Sequence, residues 1–123
     1  MRDKANKGYH KLLIWKKAYG LVMEIYKITK SFPKSEEFSL VSQLRRASIS
    51  IVLNIVEGNR RSTKKDFLHF LNISQSSLTE VEAAVELSFG LKFINETEFF
   101  DLDNKISELA YLIGAFVKAL KKP

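Results

Sequence analysis

Residues 43–58 read QLRRASISIVLNIVEG, and the pattern of apolar residues in this segment indicates how the chain packs. Six of the eight residues from Ile49 to Val56 are Ile, Val or Leu. A helix that is apolar almost all round is buried almost all round. Each helix of a four-helix bundle leaves one face toward water, so the bundle alone cannot bury all the apolar side chains of this helix. We infer that a second subunit covers the remaining apolar surface. The alternative is that loops of the same chain cover it. Ile51 and Val52 are the residues predicted for that interface.

One polar stripe runs along the same helix. Its members are spaced so that they share a single helical face: Arg46, Ser50, Asn54, Glu57 and Arg61. A buried carboxylate is costly without a partner, which predicts that Arg46 or Arg61 pairs with Glu57. Ser77 and Glu80 on the following helix extend this predicted polar network. The stripe is interpreted as a pin that fixes the helix register, with a ligand or polyanion site as the alternative.

The spacing of apolar residues predicts further helices on both sides of this stretch. The first runs from about Tyr9 to Thr29, and Pro33 ends it because the residue before a proline is pushed out of the helical region. Its apolar face comprises Trp15, Ala18, Tyr19, Val22, Ile25 and Tyr26. Ser35 is the expected N-cap of the second helix, which continues to about Glu57 and stops at Gly58-Asn59.

Capping signals mark the two remaining helices. A third helix is expected to begin at Ser62 or Thr63, with Asp66 three residues after Thr63 as in a capping box. Asn95 and Glu98 repeat this spacing before a fourth helix. The fourth helix has a heptad seam, formed by Leu102, Ile106, Leu109, Ile113, Phe116 and Leu120.

Length and composition agree with an all-α protein. The chain has 123 residues, 46% of them hydrophobic, and only 5 Gly and 2 Pro, which favours one globular domain over residues 1–123 with a basic arm at about residues 1–8. The absence of Cys excludes disulfides and thiolate metal sites. No run of apolar residues approaches the length needed to span a membrane, and no segment resembles a signal peptide. A cytoplasmic location is therefore expected. Short connections between amphipathic helices predict an antiparallel up-and-down four-helix bundle.

Charge is divided unevenly along the chain. The formal net charge is +6, with 15 basic and 5 acidic residues in residues 1–65, and 5 basic and 9 acidic in residues 66–123. This division suits a basic surface that meets polyanions, although charge-complementary packing within or between subunits is the alternative. The residues predicted to bind nucleic acid are Lys11, Lys16, Lys17, Arg45, Arg60, Arg61, Lys64 and Lys65, with Tyr9 and Tyr19 as stacking candidates.

Signals of catalysis are weak. Asp66 and His69 lie three residues apart, as in half of a carboxylate-bridged dimetal site, but the second copy is missing and His10 is the only other histidine. There is no Gly-rich phosphate loop, nucleophile elbow or Ser-His-Asp set. We therefore expect neither an enzyme nor a bound metal or cofactor.

The block from Gln43 to Gly58 resembles the signature of the bacterial four-helix-bundle proteins, also called 23S rRNA intervening-sequence proteins. Further matching pieces follow the same order along nearly the whole chain: Trp15 with Ala18; Arg61 with Lys64, Lys65 and Phe67; and Ser77-Leu78 with Glu80. Three positions depart from the family pattern, with Val56 in place of Ala, Asp66 in place of Glu, and Arg60 in place of a frequent Gly.

This resemblance implies a four-helix bundle that assembles as a ring-shaped homopentamer, without an established activity. Related bundles are accessory proteins of the reverse transcriptases of diversity-generating retroelements, where a basic pentamer engages nucleic acid and the enzyme. By analogy, we expect a non-enzymatic homopentamer that binds RNA, DNA or a ribonucleoprotein, with a reverse transcriptase as a possible protein partner. A protein-binding scaffold is the alternative. A basic first helix lying on a membrane is disfavoured because its apolar residues are needed for the core.

Overall fold

The computed structural model describes residues 7–123, and within them the chain is helical with no strand. We number the α-helices in chain order: α1 is Leu13–Thr29, α2 is Ser42–Asn59, α3 is Lys64–Gly90 and α4 is Glu96–Leu120. A 3-10 turn, Gly8–Lys11, precedes α1. The all-helical prediction is confirmed for the described residues, whereas most of the basic arm predicted at residues 1–8 lies outside them.

The two predicted N-terminal caps of α3 and α4 are confirmed. The Asp66 backbone N–H donates to Thr63 Oγ1 at 3.1 Å. At the start of α4, the Glu98 N–H donates to Asn95 Oδ1 and the Asn95 N–H donates to Glu98 Oε1, both at 2.8 Å. Each bond satisfies a backbone N–H that has no partner within its helix, which fixes where the helix begins.

The predicted starts of the first two helices are wrong. Tyr9 lies in the 3-10 turn, and the extended backbone of Leu12 separates that turn from α1. Ser35 does not cap a helix: it lies in a second 3-10 turn, Lys34–Glu36, and a π-helical turn, Glu37–Val41, follows before α2. These tighter and wider turns carry the chain from the end of α1 to a point where Val41 enters the core.

Each α-helix packs against two others, as in a four-helix bundle. α1 contacts α2 and α4, and α3 also contacts α2 and α4. The predicted seam of α4 is confirmed over Leu102, Ile106, Leu109 and Ile113, which are buried, whereas Phe116 and Leu120 are half-buried. Its four-residue and three-residue steps keep one face of the helix on the core.

The apolar face predicted for α1 is partly wrong. Ala18, Val22 and Ile25 are buried as predicted, but the other core positions are Ile14 and Leu21. The predicted Trp15 and Tyr26 are only half-buried, and Tyr19 is exposed. The helix has more apolar residues than one face holds, so α1, like α2, retains apolar side chains outside the core.

Gly58 has a different role from the helix stop that its position suggests. α2 continues through it to Asn59, and its φ is not positive. A Cβ atom at Gly58 would lie 2.8 Å from Phe67 Cδ1 and 3.0 Å from Phe70 Cβ, closer than packed atoms tolerate. The glycine therefore allows the end of α2 to approach the start of α3.

Candidate nucleic-acid interface

Positive side chains from three separate segments meet at one end of the bundle. Arg60 and Arg61 follow α2, and Lys64 and Lys65 open α3. Lys64 Nζ donates to the backbone carbonyl of Lys122 at 3.2 Å, which brings the end of the chain to the same place. The turn before α1 also lies here, because the Arg60 guanidinium is 5.8 Å from the centroid of the Tyr9 ring. We call this surface the basic end; it comprises Tyr9, Lys11, Arg60, Arg61, Lys64, Lys65 and Lys122.

Most cations of the basic end are available to a ligand. Within residues 7–123, Lys11, Arg60, Lys64 and Lys65 have no carboxylate oxygen within 4.0 Å, and all are exposed. Arg61 alone is paired, its Nη2 donating to Glu57 Oε2 at 2.6 Å. Grouped cations that no neighbouring carboxylate neutralises create a positive potential that attracts polyanions.

The Arg61–Glu57 pair confirms the predicted partner but not the predicted burial. The Arg61 side chain is 44% exposed and the Glu57 side chain 51%, so the pair lies at the surface. The Arg61 guanidinium also lies 4.8 Å from the centroid of the Phe70 ring. Since water screens an exposed pair, it contributes little to stability.

Lys16 and Lys17, also predicted to bind nucleic acid, lie on the α1 surface that faces α4. Lys17 Nζ is 3.3 Å from Glu108 Oε1, and the exposed Lys16 lines the same shallow groove. Lys105 on α4 also lines this groove. Its hydrogen bond with Asp101 raises the pKa of the Lys105 ammonium above its usual value of 10.5. Lys17 is therefore matched by a carboxylate, unlike the cations of the basic end.

Arg45 lies apart from the other predicted binding residues. It is near the start of α2, where its Nε donates to Thr29 Oγ1 at 3.0 Å and its guanidinium carbon lies 4.4 Å from the centroid of the Tyr26 ring. The 15 residues that separate Arg45 from Arg60 correspond to about 22 Å of helix. The eight predicted residues thus occupy three places rather than one.

The two candidate stacking residues are also separated. Tyr9 lies beside Arg60 and packs against Trp15, with ring centroids 5.6 Å apart. Tyr19 instead lines a wholly apolar groove of about 180 Å³, together with Val22, Met23, Ile49, Val52 and Leu53. Only Tyr9 belongs to the basic end.

The apolar groove corrects the predicted interface residues. Ile51 is 0% exposed and is packed inside its own subunit, so it is not available to a neighbour. Val52 is half-buried on the outer side of α2, and Leu53 next to it is 59% exposed. Sequence reasoning missed Leu53 and Met23, although the helical spacing of Ile49, Val52 and Leu53 could have grouped the α2 residues.

The predicted polar network divides into separate contacts. Ser50 Oγ and Ser77 Oγ lie 2.8 Å apart across α2 and α3, and Asn54 Nδ2 donates to the Ser50 carbonyl at 2.9 Å. Glu80 accepts instead from Gln43 Nε2 at 3.1 Å. Arg46 is exposed and makes no side-chain hydrogen bond or ion pair within residues 7–123. Ser50 and Ser77 tie α2 to α3 in the centre, whereas the ion pair of the stripe, Glu57 with Arg61, joins residues four positions apart and does not connect two helices.

Sequence reasoning did not include a buried serine at the same seam. Ser74 is fully buried, and its Oγ donates to the Ile51 carbonyl at 2.9 Å. By donating to a backbone carbonyl, the hydroxyl group gains a hydrogen-bond partner in a position that water does not reach. Its three-residue spacing from Ser77 is the signal that could have identified it.

The described part of the chain offers neither a metal-ligand cluster nor a membrane-spanning helix. No three His, Asp or Glu side chains of residues 7–123 are grouped closely enough to hold a metal ion. None of the helices there is both long and apolar enough to cross a membrane.

Comparisons with known proteins agree with the four-helix arrangement. A family model described as 23S rRNA-intervening sequence protein matches residues 10–115. A crystal structure from Bacteroides thetaiotaomicron VPI-5482, of a protein with unknown function from the S23 ribosomal protein family, is similar with a TM-score of 0.80 and 23% identity. The match covers 86% of this chain and 96% of that one. No curated protein matches the sequence. Since the family model spans most of the chain and its signature block, this chain belongs to the 23S rRNA-intervening sequence protein family.

Proposed function

We propose that this chain is a non-enzymatic, basic, homo-oligomeric accessory protein that binds RNA through charge and shape. The observation that carries the proposal is the basic end, where the starts or ends of all four helices present exposed cations. The family name, which refers to 23S rRNA, supports RNA over DNA as the ligand. A possible protein partner is a reverse transcriptase, by analogy with similar bundles.

The basic end suits a single-stranded ligand. Lys64 and Lys65 follow Arg60 and Arg61 closely, so one strand can place consecutive phosphates on them. The Tyr9 ring lies within this group of cations, and an aromatic ring beside cations stacks on unpaired bases. Such contacts recognise the charge and flexibility of a strand rather than its sequence.

The proposed assembly is a ring-shaped homopentamer of antiparallel bundles. The order of contacts supports the antiparallel arrangement: Lys17 pairs with Glu108, whereas Glu24, seven residues later, meets Lys105. The apolar groove that contains Met23 and Leu53 supports an oligomer, because a second copy can cover these exposed apolar side chains, and a heterologous contact whose rotation closes gives a ring. A ring would place five basic ends on one rim and increase affinity through multivalency.

The same apolar groove favours a second candidate function. Its lining has no polar surface, and side chains such as Leu53 are exposed in the single chain. If another protein rather than a second copy occupies it, the chain is a protein-binding scaffold and its charge serves solubility.

The test compares two charge-reversed pairs at opposite ends of the bundle. In one variant Lys64 and Lys65 become Glu, and in its matched control Lys30 and Lys34, exposed residues after α1, become Glu. Both variants lose the same charge, and acidic residues in the first turn of α3 are compatible with folding. Fluorescence anisotropy with single-stranded RNA that has a 5′-hydroxyl group is measured at two salt concentrations.

We expect K64E/K65E to bind the RNA at least about tenfold more weakly, because each lost phosphate contact removes counterion release. A plot of the logarithm of the binding constant against the logarithm of the salt concentration should become less steep, its slope changing by about 0.7 for each lost contact. The K30E/K34E control should bind like the wild type. Equal binding by the wild type and K64E/K65E, or no binding by the wild type at low salt, would replace this proposal with the scaffold.

A further inference from the structure

A cavity of about 350 Å³ lies at the end of the bundle opposite the basic end. It opens between the end of α1 and the turns that lead into α2. The side chains around it come from both segments: Thr29, Lys30, Phe32, Pro33, Lys34, Glu37, Val41 and Arg45. None of the free cations of the basic end belongs to this cavity, so it is a separate site.

Arg45 is held in a fixed orientation at this cavity. Its Nε donates to Thr29 Oγ1 at 3.0 Å, while the Thr29 hydroxyl donates to the Ile25 carbonyl at 2.7 Å, in a buried position. The Tyr26 ring covers the guanidinium, with its centroid 4.4 Å from the guanidinium carbon. These contacts use one edge and one face of the guanidinium and leave its two Nη groups to donate to a ligand.

The charges around the cavity suit a dianion. Lys30 and Lys34 join Arg45, and Glu37 is the one carboxylate in the lining, which gives a net formal charge of +2. The ion pairs formed within residues 7–123 do not involve any of these three cations. A phosphate monoester has a charge of about −1.5 to −2 at neutral pH, whereas a single carboxylate has −1.

We propose that this cavity binds the phosphate monoester of a ligand of mononucleotide size. Two parallel hydrogen bonds from the Arg45 Nη groups hold the phosphate, and Lys30 and Lys34 add charge. Phe32 and Val41, which are buried in the core, line the apolar floor of the cavity beneath the sugar or base. The volume lies at the lower end of the range for small-molecule sites.

A free nucleotide and the 5′-phosphorylated end of an RNA share this chemistry. The inference does not depend on the basic end, because the Arg45 cavity can bind a mononucleotide whether or not Lys64 and Lys65 bind RNA. Comparing 5′-phosphorylated with 5′-hydroxyl RNA in the K64E/K65E variant separates the two sources. A gain in affinity from the phosphate indicates an RNA end, and binding of the mononucleotide alone indicates a free nucleotide.

The decisive experiment is isothermal titration calorimetry of the full chain with uridine monophosphate, and with uridine as the control ligand. We expect uridine monophosphate to bind with a Kd below about 1 mM and uridine to show no binding in the same range. Arg45→Gln should weaken binding at least about tenfold, because it removes a charged hydrogen-bond donor. Arg46→Gln is the matched control on the same helix, since Arg46 is exposed and unpaired within residues 7–123, and it should change the Kd less than about twofold.

A second variant keeps the inference testable if Arg45→Gln fails to fold. Lys34→Gln changes an exposed turn residue. It should raise the Kd for uridine monophosphate about threefold and leave the melting temperature unchanged. The inference is overturned if the wild type does not bind uridine monophosphate, if uridine binds equally well, or if R45Q and R46Q behave alike. Normal nucleotide binding by K64E/K65E together with normal RNA binding would overturn only the role of the basic end.

Discussion

The two ends of α2 hold their arginines in opposite ways. At the start of the helix, Arg45 is fixed by a hydroxyl and an aromatic ring beside a cavity. After its last turn, Arg60 lies among exposed lysines, with no carboxylate close to it within residues 7–123. A fixed guanidinium selects the geometry of one anionic group, whereas a group of exposed cations responds to the total charge of a strand.

This difference shows that a cluster in the sequence is not a cluster in space. Arg45, Arg46, Arg60 and Arg61 lie within 17 residues of the sequence, yet about 22 Å of helix separates the two pairs. Neighbours within a pair also differ: Arg45 contacts Thr29, but Arg46 points away from it and is exposed. The net positive charge of the chain is therefore divided between two different surfaces, the cavity at Arg45 and the basic end.

The largest effect is expected from a change in the helix that joins the two ends. Ile51→Asp places a carboxylate in a fully buried position, which should cost more than about 3 kcal/mol and abolish both nucleotide and RNA binding through unfolding. Leu53→Asp changes a residue that is 59% exposed, and it should leave the fold intact but dissociate the proposed oligomer. Circular dichroism and light scattering distinguish the two results.

Leu53→Asp thus serves as the matched control for Ile51→Asp on the same helix. A folded Ile51→Asp variant would contradict the observed core. A wild-type chain that is a well-folded monomer at micromolar concentration would contradict the proposed oligomer. In that case Leu53→Asp would not change the molecular mass measured by light scattering.

A smaller effect is expected at the junction that positions the basic end. Gly58→Ala introduces a Cβ atom 2.8 Å from Phe67 Cδ1, so α2 and α3 must separate slightly or the ring must move. We expect a loss of about 1–3 kcal/mol in the free energy of unfolding, measured by denaturant titration. Nucleotide binding at Arg45 should be unchanged, because the substitution lies at the opposite end of α2. Gly20→Ala is the matched control, since a Cβ there meets no atom within 4 Å; an equal loss in both variants would contradict the packing role of Gly58.

The smallest effect is expected at the ion pair of the basic end. Because the Arg61–Glu57 pair is about half exposed, Glu57→Gln should change the free energy of unfolding by less than about 1 kcal/mol. Loss of the carboxylate releases Arg61 and should tighten RNA binding about twofold to threefold at low salt. Thermal melting and fluorescence anisotropy measure the two quantities. A large fall in the melting temperature would mean that the pair is a structural support instead.

Local signals predicted the later helices better than the earlier ones. Thr63 and Asn95 each accept from a backbone N–H three residues ahead, so the sequence alone locates the starts of α3 and α4. Ser35 is also a favourable N-cap residue but makes no such bond, because Pro33 and the 3-10 and π-helical turns after it set the path of the chain. A capping residue acts only where the backbone already leads into a helix.

The candidate sites were predicted less completely than the helices. Lys64 and Lys65 were placed correctly beside Arg60 and Arg61 because all four lie within six residues of the chain. The contact of Lys64 with the Lys122 carbonyl and that of Arg60 with Tyr9 join residues 58 and 51 positions apart, which no local pattern indicates. The cavity at Arg45 was not predicted for the same reason.

Residues within one or two turns of each other are enough to predict the helical class, the two capped helix starts and the apolar excess of α2. Which apolar residues are core and which are surface depends instead on tertiary packing. Ile51 and Leu53 are chemically similar and two positions apart, yet one is fully buried and the other 59% exposed. Their fates depend on where α1 and α3 lie around α2, and that arrangement comes from packing among all four helices rather than from any one of them.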